Sequence, residues 1–142
     1  MNKKLIYEIK GLYRDDFRVT GYEFGSGKKS VCIVGNSRGN EIQQLYCCSQ
    51  LVKKMKQLEE EGRIKEGHNI LIIPSINPYS VNIQKRFWTT DNTDINRMYP
   101  GYDQGETTQR IADGVYFAKC INLLEYILNN PLLLEDRVDD KI

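Results

Sequence analysis

The sequence predicts an α/β fold, and three observations support this. Two short apolar runs rich in β-branched residues, Val31–Val34 and Asn69–Ile73, have the composition of buried strands. Turn-forming residues follow both runs, at Gly35–Gly39 and at Pro74. Between the two runs, apolar residues recur at three- and four-residue steps, which is the spacing of one helix face: Ile42, Leu45, Cys48, Val52 and Met55. The order strand, turn, helix, strand is typical of an α/β protein.

Length and composition favour a single domain over residues 1–142. The chain has 40% hydrophobic residues, enough to bury a core, and its net charge is only +1. So small a net charge argues against nucleic acid or a membrane surface as a partner. We find no signal peptide and no apolar run of membrane-spanning length, so we expect a cytoplasmic protein. The four cysteines show no C-x-x-C spacing and fit that compartment as reduced thiols: Cys32, Cys47, Cys48 and Cys120.

Two further strands are predicted before the first apolar run. Leu5–Lys10 is the first strand, and Gly11–Phe17 is a polar connection. Arg18–Phe24 alternates between apolar and polar residues and is predicted as the second strand. The turn at Gly25–Lys29 then leads into Ser30–Val34, which we expect at the centre of the sheet because of its apolar composition.

The first long helix is predicted from Asn40 to about Gly62. Asn40 is a favourable N-cap, and Glu41 lies in the first turn, where a carboxylate suits the helix dipole. Arg38 and Glu41 therefore lie on the connection between a strand and a helix. Because ligands of α/β folds bind at the carboxyl ends of strands, we expect the functional site at this turn.

The second half of the chain combines a long loop with a second helix. Ser75–Gly105 shows little periodicity, and loops of that length in small domains usually carry function. The helix is predicted from Thr107 to about Asn130, and its part Ile121–Leu128 is apolar on nearly every face. Such a helix should be covered, either by more of the sheet or by a second copy in a homo-oligomer. Glu135–Ile142 is a short acidic end, which we expect to be frayed.

Short motifs in the turn and in the long loop resemble a known family. Arg-Gly-Asn-Glu occupies residues 38–41, Asn77 precedes a proline, and Arg86 follows at a distance. Asp94–Arg97 reads Asp-Ile-Asn-Arg, and Tyr99–Gly101 reads Tyr-Pro-Gly. Their order is similar to that of the succinylglutamate desuccinylase/aspartoacylase branch of the zinc carboxypeptidase clan. There a His-Gly-x-Glu is followed by Asn-Pro, an Arg, Asp-x-Asn-Arg and an aromatic-Pro-Gly.

The resemblance implies a three-layer α/β/α fold with a mixed central sheet, and hydrolysis of an amide bond in an N-acyl amino acid or at a peptide C-terminus. It also implies one zinc held by two histidines and a glutamate, with an open position for water. Glu41 corresponds to the zinc glutamate. The substrate carboxylate would be bound by Arg86, Asn96 and Arg97, with Asp94 and Asn77 supporting the loop.

The chain departs from the family pattern at the metal. Arg38 stands where the family has its first zinc histidine, and a guanidinium offers no lone pair to a metal. After Ala112 no histidine follows, and the general acid/base glutamate belongs to a C-terminal part of the family domain that this chain lacks. The single histidine, His68, precedes the second apolar strand, and we expect it on the surface away from the site. The sequence therefore predicts a partial domain, truncated at its C-terminus, that does not bind catalytic zinc.

Two classes of function remain open from the sequence. One is a zinc amidohydrolase of this family, impaired or inactive because Arg38 replaces the histidine. The other is a non-catalytic carboxylate-binding module, or a truncated remnant of such an enzyme. Two simpler interpretations also stay open. In the first, Arg38 and Glu41 merely form an exposed ion pair. In the second, Arg86 and Arg97 are solvated loop residues without a ligand.

Overall fold

The structure is a computed structural model that describes residues 1–12 and 15–128, with the backbone alone over residues 118–128. The expectations for Glu135–Ile142 and for the helix end at Asn130 lie outside the described residues. The covering of the apolar side chains in Ile121–Leu128 also lies outside the described part of the chain.

Every predicted strand and long helix is present, with bounds that differ by up to three residues. In chain order the strands and helices are β1 (Asn2–Ile9), β2 (Phe17–Gly25), β3 (Lys29–Val34), α1 (Ile42–Glu60), β4 (His68–Ile73), α2 (Pro78–Asn82), a 3-10 turn (Ile95–Arg97) and α3 (Thr107–Leu128). None of the helices in the described ranges is long and apolar enough to cross a membrane.

The four strands form one mixed sheet in the order β1-β2-β4-β3. β3 and β4 are parallel, with Val34 opposite Ile73, whereas β2 is antiparallel to both β1 and β4. β1, β3 and β4 therefore run in one direction, and their carboxyl ends share one edge of the sheet. This mixed sheet confirms the predicted fold class.

The expected central position of Ser30–Val34 is wrong. In the described part of the chain β3 pairs only with β4, which makes β3 an edge strand, and Val31 remains 57% exposed. An apolar run indicates burial without saying which neighbour provides it. Here Ile33 is packed beneath α1, so helix contacts rather than strand pairing account for part of the apolar pattern.

Helices cover both faces of the sheet. Leu71 and Ile73 of β4 belong to the core that faces α3 and the long loop, whereas Ile72, on the opposite face of the strand, packs with Cys48 of α1. These side chains are at most 6% exposed. The alternation along β4 thus produces the predicted three-layer α/β/α arrangement.

Helix α1 begins later than predicted. Glu41, not Asn40, is the N-cap residue, and no side chain caps the helix there. The Glu41 carboxylate is instead engaged by neighbouring side chains described below. At the other end Gly62 has φ +66°, and its N–H donates to the carbonyl of Glu59, so a left-handed glycine ends the helix as predicted.

The long loop is more regular than its sequence indicates. Asn77 caps α2 by accepting from the N–H of Ser80 at 3.3 Å, and Pro78 occupies the first turn. Asp91 fastens the loop to α3, because its Oδ2 accepts from the N–H and the hydroxyl of Thr108 at 3.1 and 2.9 Å. The loop is therefore ordered by side-chain hydrogen bonds and not by a hydrophobic periodicity from which its structure could be predicted.

Candidate functional site

The turn after β3 and the loop after β4 meet at the carboxyl edge of the sheet. They meet because the two strands are parallel neighbours: the N–H of Gly35 still donates to the carbonyl of Ile73 at 2.8 Å. Farther out, the side-chain amide of Asn77 donates to the carbonyl of Ser37 at 3.2 Å. Motifs some 40 residues apart in the sequence are thereby brought together at the edge where the strand order predicts a site.

Asn36 is a buried residue that stabilises the turn after β3 through its hydrogen bonds. It is fully buried with φ +46°, a conformation that asparagine tolerates better than most residues. Its side chain donates to the carbonyl of Arg38 at 2.9 Å and accepts from the Ser75 hydroxyl at 2.7 Å, while its N–H donates to Gln44 Oε1 at 3.0 Å. The sequence pattern does not mark Asn36, Gln44 or Ser75 as site residues, apart from the Gly-Asn pair that follows β3.

Gly39 allows α2 to approach the turn. A Cβ at Gly39 would lie 2.2 Å from the carbonyl carbon of Ser80 and 2.5 Å from the carbonyl oxygen of Lys85. Both are backbone atoms, so no side-chain rotation would relieve the overlap. The glycine of the Arg-Gly-Asn-Glu motif is therefore required by packing, whatever the chemistry of the site.

Arg38 lies at the centre of the polar cluster and contacts two carboxylates. Its Nε donates to Asp94 Oδ2 at 3.0 Å and its NH1 to Glu41 Oε1 at 3.2 Å, and its side chain is only 19% exposed. The hydrogen bond to Glu41, and then that to Asp94, raises the pKa of the Arg38 guanidinium. The pair with Glu41 is thus part of a half-buried network and not the exposed ion pair that the sequence left open.

Asp94 joins the loop arginines to this network. Its side chain is 5% exposed, and its Oδ1 accepts from the N–H of Asn96 at 3.1 Å. Its Oδ2 lies 3.4 Å from the NH2 of Arg86 and 3.9 Å from the Nε of Arg97. The guanidinium groups of three arginines, that of Arg38 included, therefore surround one buried carboxylate. With the carboxylates of Asp94 and Glu41 both counted, the cluster carries one net positive charge.

The outer residues of the cluster face solvent. The side chain of Arg86 is 44% exposed and lies beside Phe87, with the guanidinium carbon 5.6 Å from the ring centre. The side chain of Arg97 is 72% exposed, and Asn96 is exposed as well. The structure places the three predicted substrate-binding residues around Asp94, with their remaining donors accessible from solvent.

The described side chains at Glu41 do not form a zinc-binding set. Both Glu41 oxygens already accept hydrogen bonds, one from Arg38 and one from Gln44 Nε2 at 2.6 Å. The residues described by the structure include no group of three or more His, Cys, Asp or Glu side chains that could hold a metal. His68 begins β4, at the opposite end of the strand from this cluster. Among the described residues, the side chain bonded to Glu41 at the family's first histidine position is a guanidinium, which offers no lone pair to a metal.

The described strands and helices define an α/β protein with a mixed sheet, and the polar cluster lies at the carboxyl ends of its parallel strands β3 and β4. A profile of the "Succinylglutamate desuccinylase/Aspartoacylase catalytic domain" matches residues 27–126, which is well over half of the chain. The chain belongs to the succinylglutamate desuccinylase/aspartoacylase family. This is a family of amidohydrolases that act on N-acyl amino acids, and the resemblance seen in the motifs is confirmed.

Individual relatives are longer than this chain. An N-alpha-acetyl-L-2,4-diaminobutyric acid deacetylase from Halomonas elongata is 25% identical over 103 residues, which are 72% of this chain and 28% of that protein. An aspartoacylase family protein from Mesorhizobium loti is similar in structure, with a TM-score of 0.61 and 31% identity, over 76% of this chain and 33% of the other. A succinylglutamate desuccinylase/aspartoacylase from Rhodobacter sphaeroides is also similar in structure, with a TM-score of 0.56 and 25% identity, over 70% of this chain and 29% of the other. The chain thus spans about a third of the length of these relatives.

Proposed function

We propose that this chain binds a small carboxylate of the N-acyl amino acid type through Arg86, Asn96 and Arg97, and that it does so without catalytic zinc. The proposal keeps the ligand class of the family and separates it from the family's hydrolytic chemistry. It corresponds to a non-catalytic carboxylate-binding module within an amidohydrolase family.

The observation that carries the proposal is the double contact of Arg38. Its guanidinium bonds both Glu41 and Asp94, at 3.2 and 3.0 Å, where the family has a histidine ligand. Arginine stays protonated in proteins and repels a metal cation. Glu41 would have to leave Arg38 to serve as a metal ligand, and the half-buried guanidinium would then lose one of its two anionic partners.

Carboxylate binding follows from the charges that remain. Asp94 orients the guanidinium groups of Arg86 and Arg97 but neutralises only part of their charge. A planar guanidinium can bind a carboxylate through two parallel hydrogen bonds, which makes the contact specific as well as strong. Asn96, which directly precedes Arg97, adds an exposed side-chain amide that can donate to the same ligand.

A second candidate function is the zinc amidohydrolase itself. It is favoured by the retention of Glu41 at the family's zinc position and by the family match across residues 27–126. In that case Arg38 would have to move away from Glu41, and the remaining ligands would come from outside the described cluster.

Zinc content and carboxylate binding distinguish the two functions. The purified protein is dialysed against dilute zinc without chelator, and zinc per chain is measured by elemental analysis; binding of N-acetylglycine is measured by calorimetry. We expect a zinc content near zero, also in Arg38→His, together with saturable N-acetylglycine binding. One zinc per chain that is lost in Glu41→Ala would establish the hydrolase alternative. Absence of N-acetylglycine binding would refute the carboxylate site.

A further inference from the structure

A cavity of about 340 Å³ lies beside the arginine cluster, a volume within the usual range of small-molecule sites. Ser37 and Asn96 line it, and these residues directly precede Arg38 and Arg97 in the chain. The rest of its described lining is largely apolar and comes from β3, the loop and α3: Cys32, Val34, Tyr99, Val115 and Tyr116. A ligand held by the arginines therefore has an apolar cavity next to it.

The described lining of this cavity contains no cationic side chain. Serine, asparagine and tyrosine supply its polar atoms, and the positive charge of the region is concentrated around Asp94. A carboxylate placed against the apolar part of the described lining would give up part of its hydration without gaining a counter-ion there, which is unfavourable. An apolar group placed there would instead gain from leaving water.

The geometry points to a ligand with one carboxylate and an apolar side chain, such as an N-acyl derivative of leucine, rather than an acidic N-acyl amino acid. This inference rests on the proposed function, because the arginine cluster must bind the carboxylate before the cavity can select the side chain. The single net positive charge of the cluster agrees with a monoanion. The acidic amino acids in the family's name carry a second carboxylate, for which the described lining of the cavity offers no cationic partner.

Tyr99 supports the same ligand class. Its phenol is packed near Cys32, and burial, followed by the charge of Cys32, raises the pKa of Tyr99 to about 12. The phenol is neutral at physiological pH, as it would also be at the ordinary tyrosine pKa of 10.0. A neutral phenol can donate a hydrogen bond to an acyl oxygen, and its ring provides an apolar wall.

The first test compares three ligands on the unmodified protein. Calorimetry with N-acetylglycine, N-acetyl-L-leucine and N-acetyl-L-aspartate, each at the same pH and salt, separates binding of the shared carboxylate from side-chain selection. We expect the leucine derivative to bind at least about tenfold more tightly than the aspartate derivative, the equivalent of one buried apolar side chain. N-acetyl-L-leucinamide, which lacks the carboxylate, should not bind.

A matched pair of variants on β3 tests the position of the side chain. Val34 lines the cavity, whereas Val31 lies three residues earlier, on the opposite face of the strand, and is exposed. Val34→Lys would place a cation in the cavity and should reverse the preference in favour of N-acetyl-L-aspartate. Val31→Lys should leave the wild-type preference unchanged, and urea unfolding checks that both variants remain folded.

The outcomes distinguish failure of the apolar side-chain cavity from failure of the proposed carboxylate site. If no N-acetyl amino acid binds, the carboxylate site itself is wrong. If all three bind with equal affinity, or the aspartate derivative binds most tightly to the unmodified protein, the carboxylate site stands and the apolar side-chain cavity is overturned. The apolar side-chain cavity is also overturned if Val31→Lys changes the ligand preference as much as Val34→Lys does.

Discussion

Arg38 and Asp94 lie 56 residues apart in the sequence, and the Nε of Arg38 donates to Oδ2 of Asp94 at 3.0 Å. The bond joins the turn after β3 to the 3-10 turn of the long loop. Because Arg38 also bonds Glu41, and Asp94 also contacts Arg86 and Arg97, the two segments form one connected ionic network. A change at either end should therefore affect both the stability of the loop and the ligand-binding arginines.

Asp94→Asn should destabilise the protein by about 1–3 kcal/mol, since it removes a buried carboxylate that accepts charge-assisted hydrogen bonds from the turn and the loop. The free energy of unfolding is measured by urea titration. Asp103→Asn is the matched control, because Asp103 is an exposed residue of the same loop bonded only to the neighbouring Gln104 at 3.3 Å among the described contacts. Equal stability of the two variants would show that the Asp94 network does not hold the loop.

The order of elements could be predicted from the sequence, but the network could not. An uninterrupted apolar run indicates strand β4, and Gly62 marks a helix end by its conformational freedom. The position of β3 at the sheet edge depends on pairing between distant segments, which local patterns do not contain. Asp94 was predicted only as loop support, because nothing in the motif Asp-Ile-Asn-Arg indicates that its carboxylate accepts a hydrogen bond from Arg38.

Arg97→Gln should weaken N-acetylglycine binding by about ten- to a hundredfold, the usual effect of losing a charge-assisted hydrogen bond. Its effect on the free energy of unfolding should stay within about 0.5 kcal/mol, because the side chain is 72% exposed and its Nε lies 3.9 Å from Asp94. Arg63→Gln is the control, since Arg63 is similarly exposed and pairs with Glu61 at 3.3 Å outside the cluster. Unchanged affinity in Arg97→Gln would remove Arg97 from the carboxylate site.

Tyr99 should make the protein less stable in strongly alkaline solution. Burial raises its pKa from 10.0 to about 12, so between these values the unfolded chain has lost a proton that the folded chain still holds. The free energy of unfolding therefore falls as the pH rises from 10 towards 12, and this contribution is fully present only below pH 10.

Replacing Tyr99 by phenylalanine removes this contribution. Urea titrations at about pH 9 and about pH 11 should show a smaller loss of stability in Tyr99→Phe than in the unmodified protein. Tyr102→Phe, at an exposed position three residues along, should keep the wild-type loss because Tyr99 is still present. An identical loss in Tyr99→Phe and the unmodified protein would mean that the surroundings of the Tyr99 phenol do not raise its pKa.

Gly39→Ala should both destabilise the protein and weaken carboxylate binding. The added methyl group would overlap the backbone of Ser80, 2.2 Å away, so α2 would have to shift from the turn that carries Arg38. Overpacking of this kind costs about 1–3 kcal/mol. Thermal unfolding and N-acetylglycine calorimetry on the same sample measure both effects.

The control for Gly39→Ala is Gly62→Asn, because no heavy atom lies within 4 Å of the position that a Cβ would take at Gly62, and asparagine tolerates a φ of +66°. Gly62→Asn should leave N-acetylglycine affinity unchanged. If Gly39→Ala keeps full stability and full affinity, the approach of α2 to the turn is looser than the structure shows. If it loses affinity alone, the methyl group acts by displacing Arg38, since the helix contact has then been accommodated without cost.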